Sequence, residues 1–209
     1  MKYVFGLILL TPFNLLANEE VDMSDPMAVY TGGDITAGDK GIGGALQISV
    51  SEGQWAVMGK LEASNNFDTY RARIFAPNKN TGTGIYIDAG TDNHVEGVTA
   101  NYATLGVLQL VPINDKFKLY AGVTYGQSWE KNEIFQDTNV VNVQLYAKYD
   151  VTDEFFILAA PDYEYGLDGE EYREFYMELN IGYKVDENNM VIVTGSTDEQ
   201  TWITYKFKI

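Results

Sequence analysis

One histidine, His94, occurs in the chain, within the stretch TDNHVEG. An imidazole beside a carboxylate is a good general base near neutral pH, and Asp92 or Glu96 stands near enough in sequence to orient it. A hydrolytic site built that way also needs a nucleophile, yet no serine occurs between Ser64 and Ser128. Nor does any serine stand in a G-x-S-x-G setting. His94 therefore reads as a solvated loop residue, and no catalytic residue is assigned.

Carboxylates are the second candidate chemistry. The stretch DYEYGLDGEE holds Asp162, Glu164, Asp168, Glu170 and Glu171. Hard oxygen donors packed this way bind Ca²⁺ or Mg²⁺ when a loop wraps them around the ion. The EF-hand spacing is missing, so no firm metal site is read here, and Asp162, Glu164, Asp168 and Glu170 stay weak candidates. GDKGIGG (38–44) is glycine-rich, but no helical pattern follows it to offer a phosphate-binding N-terminus. It is expected to be a flexible first loop, and no cofactor is implied.

The third group is basic. In YRARIF, Arg71 and Arg73 are two positions apart, and side chains at that spacing share one face of a β-strand. Parity along the neighbouring stretches puts Lys60, Arg71, Arg73, Lys116, Lys118, Lys148, Lys184, Lys206 and Lys208 on a single polar face. Glu62, Asp88, Asp150, Glu174 and Glu178 share it. Nine cations against five anions is unexpected in a chain whose net charge is −16. Such a row would bind or pass an anionic solute.

These residues sit on strands, because period two dominates the chain. In NVVNVQLYAKYDV, Val141, Val143, Leu145, Ala147, Tyr149 and Val151 alternate with Asn142, Gln144, Tyr146, Lys148 and Asp150. KFKLYAGVTYGQSW and EFYMELNIGYKV repeat the pattern. Counting between turn signals gives about twelve strands, near 27–33, 42–50, 54–63, 68–76, 82–90, 98–111, 116–128, 137–149, 154–163, 171–185, 189–196 and 201–209. The segments 98–111 and 189–196 alternate poorly, so eight or ten strands remain alternatives. The connections SEG, PNKNTG, PINDK, DVTDE and VDENN are short, and those between them are mostly more acidic.

Residues 1–17, MKYVFGLILLTPFNLLA, read as a signal peptide with a cut after Ala17. Residues 18–209 then form one domain. No cysteine is present, which excludes disulfides, thiolate metal sites and a thiol-linked lipid anchor. The strongly acidic balance argues against nucleic acid as a partner.

Alternation alone does not say which face is wet. Two features place the apolar face in lipid. The polar face of 116–128 carries Tyr120, Gly122, Thr124, Gly126 and Ser128, small and tyrosine residues that suit the inside of a narrow barrel. Aromatic residues of the apolar face fall in two rings. Trp55, Phe117, Tyr149, Phe155, Tyr183 and Phe207 lie near the short connections, and Trp129, Tyr163 and Phe175 lie near the opposite ends. Aromatic girdles flanking an aliphatic band mark two lipid–water interfaces.

The chain ends on ITYKFKI, with Ile203, Tyr205, Phe207 and Ile209 alternating to the last residue. In this it resembles the outer-membrane β-barrels of Gram-negative bacteria, although it finishes on isoleucine rather than an aromatic residue. The resemblance implies a closed antiparallel transmembrane barrel and a periplasmic C-terminus. It also implies recognition of residues 203–209 by the barrel-assembly machinery. About nine residues at roughly 3.3 Å, tilted ~40°, rise about 23 Å, close to the apolar band of such barrels.

The expected function is a small passive porin-like channel of the outer membrane. Lys60, Arg71, Arg73, Lys118, Lys148, Glu174, Glu178 and Lys206 would line its lumen and bias it toward anions. The alternative is a closed structural or surface-interaction barrel whose acidic outer loops share divalent cations with envelope lipid and lipopolysaccharide. An outer-membrane lipid-modifying enzyme ranks third.

Overall fold

The computed structural model describes residues 21–93, 99–130, 137–168 and 173–209. Twelve antiparallel strands close into a single barrel in which every strand pairs with its sequence neighbours. They are β1 (Gly32–Gly38), β2 (Gly41–Glu52), β3 (Trp55–Ser64), β4 (Thr69–Asn78), β5 (Thr83–Asp92) and β6 (Ala100–Pro112), followed by β7 (Phe117–Glu130), β8 (Thr138–Asp150), β9 (Phe155–Gly166), β10 (Arg173–Asp186), β11 (Asn189–Ser196) and β12 (Thr201–Lys208). Closure is made by β1 on β12, from Gly32 opposite Lys208 to Gly38 opposite Trp202. The last strand thus has a partner along its length, as a barrel edge in hydrocarbon must.

The first strand differs from the expectation. It runs over 32–38 rather than 27–33, and much of GDITAGDKG is strand. GDKGIGG is not a loop either: Asp39 and Lys40 form a tight turn and β2 begins at Gly41. The glycines there are explained by crowding. A Cβ on Gly38 would lie 2.4 Å from the Thr201 carbonyl oxygen, and one on Gly43 would lie 2.6 Å from that of Ala63. Gly41 additionally takes φ of +78°, open to few other residues.

Residues 21–31 contribute no strand. They lie inside the barrel, in the half bounded by the short connections, with Met23 and Tyr30 buried. On one side Met23 and Tyr30 pack with Phe156, Met190 and Ile192. On the other, Met27 and Val29 pack against Phe75, Leu108 and Tyr120. This accounts for the two segments whose alternation is poor. Strand β11 turns Met190 and Ile192 inward, and β6 turns Leu108 inward, because each meets apolar side chains of this internal segment rather than water.

The outer surface is aliphatic over the middle of the wall. Ile48 is 71% exposed, Leu46 69% and Leu61 67%, and Ile74, Leu105, Val143 and Ile203 continue the band. An apolar surface encircling the molecule far exceeds the patches that water-soluble proteins carry. Aromatic pairs border it. Phe117 faces Tyr149 across β7–β8, and Phe155 faces Tyr183 across β9–β10, both near the short connections. Tyr163 faces Phe175 toward the other end. Tyr205 and Phe207 stack with ring centroids 6.3 Å apart.

Candidate lumen site

The inner face carries two charged regions. The first runs across β12, β1, β3, β4 and β5. Opposite Lys206 on β12 stands Asp34 on β1, and opposite Lys60 on β3 stands Arg73 on β4. Arg73 in turn faces Asp88 on β5. Lys60 Nζ lies 2.9 Å from Asp34 Oδ2 and 3.2 Å from Glu62 Oε1. Arg73 donates to Glu62. Arg71 grips Asp88 with its Nε at 2.9 and 3.0 Å and with an Nη2 contact, and the same Nη2 donates to the Tyr86 hydroxyl at 3.0 Å.

Two tyrosines complete the cradle of Asp88. The Tyr86 hydroxyl donates to Oδ2 at 2.7 Å and the Tyr102 hydroxyl to Oδ1 at 3.2 Å. A buried carboxylate surrounded by a guanidinium and two phenols is well compensated for its lost hydration. Two donors stay in reserve. Arg73 Nε is buried without a hydrogen-bond partner, and Lys206 makes no ion pair among the described residues. Both belong to this basic wall.

The facing wall, on β8–β10, is acidic and amide-rich. Asn142 donates to Asp162 at 2.5 Å, Asn180 accepts from Thr194 at 2.8 Å, and the Tyr176 hydroxyl donates to Glu178 at 2.9 Å. Near the far mouth, Lys40 from the β1–β2 turn reaches back to the Tyr176 hydroxyl at 2.9 Å. Its ammonium sits 4.2 Å above the Trp202 ring.

The second region is at the short-turn end, where the internal segment supplies the acids. Lys148 is wholly buried, with its Nζ 2.9 Å from Asp22 Oδ2 and 2.7 Å from Asp150 Oδ1. Lys184 Nζ reaches Asp22 Oδ1 at 2.9 Å. Asp25 accepts from the Tyr120 hydroxyl at 2.7 Å and lies 3.7 Å from Lys118 Nζ. Burial alone would raise the Asp22 carboxyl. Hydrogen bonds from Lys148, Ser24 and Lys184 outweigh it and hold the group well below the ordinary carboxylate range. Burial, then the neighbouring Asp34 carboxylate, push the Tyr30 phenol up to about 12.

The residues singled out from sequence fall as follows. Lys60, Arg71, Arg73, Lys118, Lys148 and Lys206 are in these two regions, and Glu178 is on the facing wall. Glu174 is exposed at the far end of β10, and Lys116 is exposed in the β6–β7 connection rather than inside. The interior acids missed by the sequence reading include Asp22 and Asp25, on a segment taken partly for strand, Asp34, on a strand taken for loop, and Asp162, on the inner face of β9. With them the expected excess of interior cations shrinks to near balance.

Of the weak metal candidates, Asp162, Glu164 and Asp168 are described. Asp162 is on the inner face of β9. Asp168, beyond the end of β9, accepts from the backbone amide and side-chain amide of Asn139 at 2.7 and 2.5 Å. Those bonds hold the fully exposed Asp168 carboxyl below its usual range. Among the described residues no group of three or more acids, histidines or cysteines is arranged to hold a metal ion. His94, Glu170 and Glu171 lie outside the described residues, as does the segment read as a signal peptide.

No protein-family model and no curated protein matches the sequence. Solved structures do match the fold. The chain superposes on the NanC porin with a TM-score of 0.54 at 12% identity, covering 87% of this chain and 100% of that one. It superposes on the KdgM porin in complex with disordered oligogalacturonate with a TM-score of 0.51 at 12% identity, covering 87% and 99%. A further KdgM porin structure matches with a TM-score of 0.50 at 13% identity. What is shared is the fold, a closed antiparallel barrel. The barrel expected from the sequence, with about twelve strands, is the one observed.

Proposed function

We propose that the protein is a passive outer-membrane channel for small polar solutes, favouring anions. One observation carries this reading: Arg71, Arg73, Lys60 and Lys206 occupy one continuous stretch of the inner wall with donors to spare. Such a wall lowers the barrier for a negatively charged solute, and the tyrosine hydroxyls beside it suit a hydroxylated one. Acidic oligosaccharides combine both features. That one fold neighbour was solved in complex with disordered oligogalacturonate supports this class of solute without naming the member.

The encircling apolar band supports an outer-membrane location, reached through a signal peptide ending at Ala17 and with residues 203–209 presented to the assembly machinery. The outer carboxylates would share divalent cations with lipopolysaccharide, and chelator would then lower the melting temperature in membranes that contain it. Function is tested by single-channel conductance in planar bilayers under a salt gradient. Anion-selective steps are expected, and silence from well-folded barrels would remove the channel. The second reading, a closed structural barrel, is favoured by the segment 21–31 lying within the lumen.

A further inference from the structure

We propose that residues 21–31 are an internal strap that closes the short-turn end of the channel and neutralises a lysine site for anions. The proposal rests on the channel reading. Three observations on separate elements support it.

First, the barrel does not need the strap. Strand β1 begins at Gly32 and pairs with β12 through Gly32–Gly38, and of residues 21–31 it is the last, Thr31, that joins this seam, accepting from the Ile209 amide at 3.0 Å. The strap is joined to the wall near its root, where Gln47 Nε2 donates to the Tyr30 carbonyl at 3.0 Å and Ser49 N donates to Thr31 Oγ1 at 3.1 Å.

Second, the wall is shaped to receive it. Met190 and Phe156, almost wholly buried, and Leu108 face into a lumen that water would otherwise fill. Inward apolar residues are out of place in an aqueous pore and are satisfied only while Met23, Met27 and Val29 cover them. The docked state is therefore the favoured one, and opening is intermittent.

Third, the strap's acids occupy the positions an anionic solute would take. Asp22 spans Lys148 and Lys184, and Asp25 lies beside Lys118 and Tyr120. When the strap leaves, Lys148 keeps Asp150, whereas Lys184 and Lys118 lose the carboxylates that face them. The opened end would be basic. A carboxylate-bearing solute would compete with Asp22 for the same two ammonium groups, so that opening and anion preference are coupled.

The test uses the full chain with Asp22→Ala and Asp25→Ala together, after the heat-dependent gel shift has shown a folded barrel. A several-fold rise in conductance and a stronger anion preference are expected. The chain has no cysteine, so Met23→Cys reports the strap directly. The thiol should resist a water-soluble reagent in the otherwise unaltered chain and react in the double variant. Equal conductance in the two proteins, or equal thiol reactivity, would overturn the strap and leave the channel standing. Silence from both folded proteins would remove the channel itself, and the gate with it, even if the thiol became reactive.

Discussion

Lys148 and Asp22 meet at 2.9 Å although 126 positions separate them in the chain. The ammonium belongs to the barrel wall and the carboxylate to the strap, so their bond is an equilibrium between docked and released states. Its pH dependence follows. Docked, the Asp22 carboxyl is held well below its ordinary value of 3.8, to which release returns it. A lowered value means that docking is fully favoured above that ordinary range and is lost as pH falls through the lower one. The groups facing Asp22 are Lys148, with its second acid Asp150, on β8, Lys184 on β10, and Ser24 on the strap itself; Asp25 is met by Lys118 and Tyr120 on β7. Conductance of the unaltered protein is expected to rise as pH drops below about 4. Asp22→Asn, already lacking the charge, should conduct well at neutral pH and change little on acidification. A parallel rise in both proteins would show that Asp22 is not the titrating group.

Selectivity is predicted from the basic wall. Replacing Arg71 and Arg73 by glutamine leaves Asp88 and Glu62 in the lumen without the guanidinium groups that now face them. The wall then holds Lys60 and Lys206 against Asp34, Glu62 and Asp88, a net negative charge. The reversal potential under a salt gradient should move toward cation preference, and an unchanged potential would place the selectivity elsewhere. Glutamine is preferred to glutamate, since a third carboxylate beside Asp88 would destabilise the wall by like-charge repulsion.

How far the sequence revealed this molecule depended on what each strand faces. Strands β7, β8 and β10 see lipid on one side and a polar lumen on the other, and their alternation is plain. Strand β11 was harder because Met190 and Ile192 face the strap, so both of its sides are apolar. Strand β1 is short and carries three glycines, and its identity is set by crowding against β12 rather than by any pattern of its own. The strap itself has no period. Its acids belong to no motif, and only the lysines they reach give them a role. Arg71 and Arg73 were legible as a pair from spacing, whereas Asp34 as a partner for Lys60 depended on locating β1.

Strand crowding yields a paired prediction. A Cβ on Gly126 would lie 1.9 Å from the Ala103 carbonyl oxygen, and backbone in a closed ladder has nowhere to move. Gly126→Ala should destabilise the barrel by about 1–3 kcal/mol, the usual range for overpacking. At Gly59 a Cβ meets nothing within 4 Å, and Gly59→Ala should be close to neutral. Urea-dependent unfolding in lipid vesicles separates the two. Equal effects would mean that the β6–β7 pair is not this tightly apposed.

The lipid-facing surface can be tested independently of transport. Leu105 is 57% exposed and Ile74 50% exposed, each on the outward side of a mid-wall stretch. Were this a water-soluble barrel, arginine there would gain hydration and cost almost nothing. In a bilayer the same guanidinium must be drawn into hydrocarbon or pulled toward an interface, at about 2–4 kcal/mol near the midplane. Leu105→Arg and Ile74→Arg should therefore each lower stability in vesicles by that amount. Arginine in place of Thr104, on the opposite face of the same strand, would add charge to the lumen and alter selectivity instead. Should the outward arginines leave unfolding in vesicles unchanged, the apolar band is not in hydrocarbon, and the outer-membrane reading falls with it.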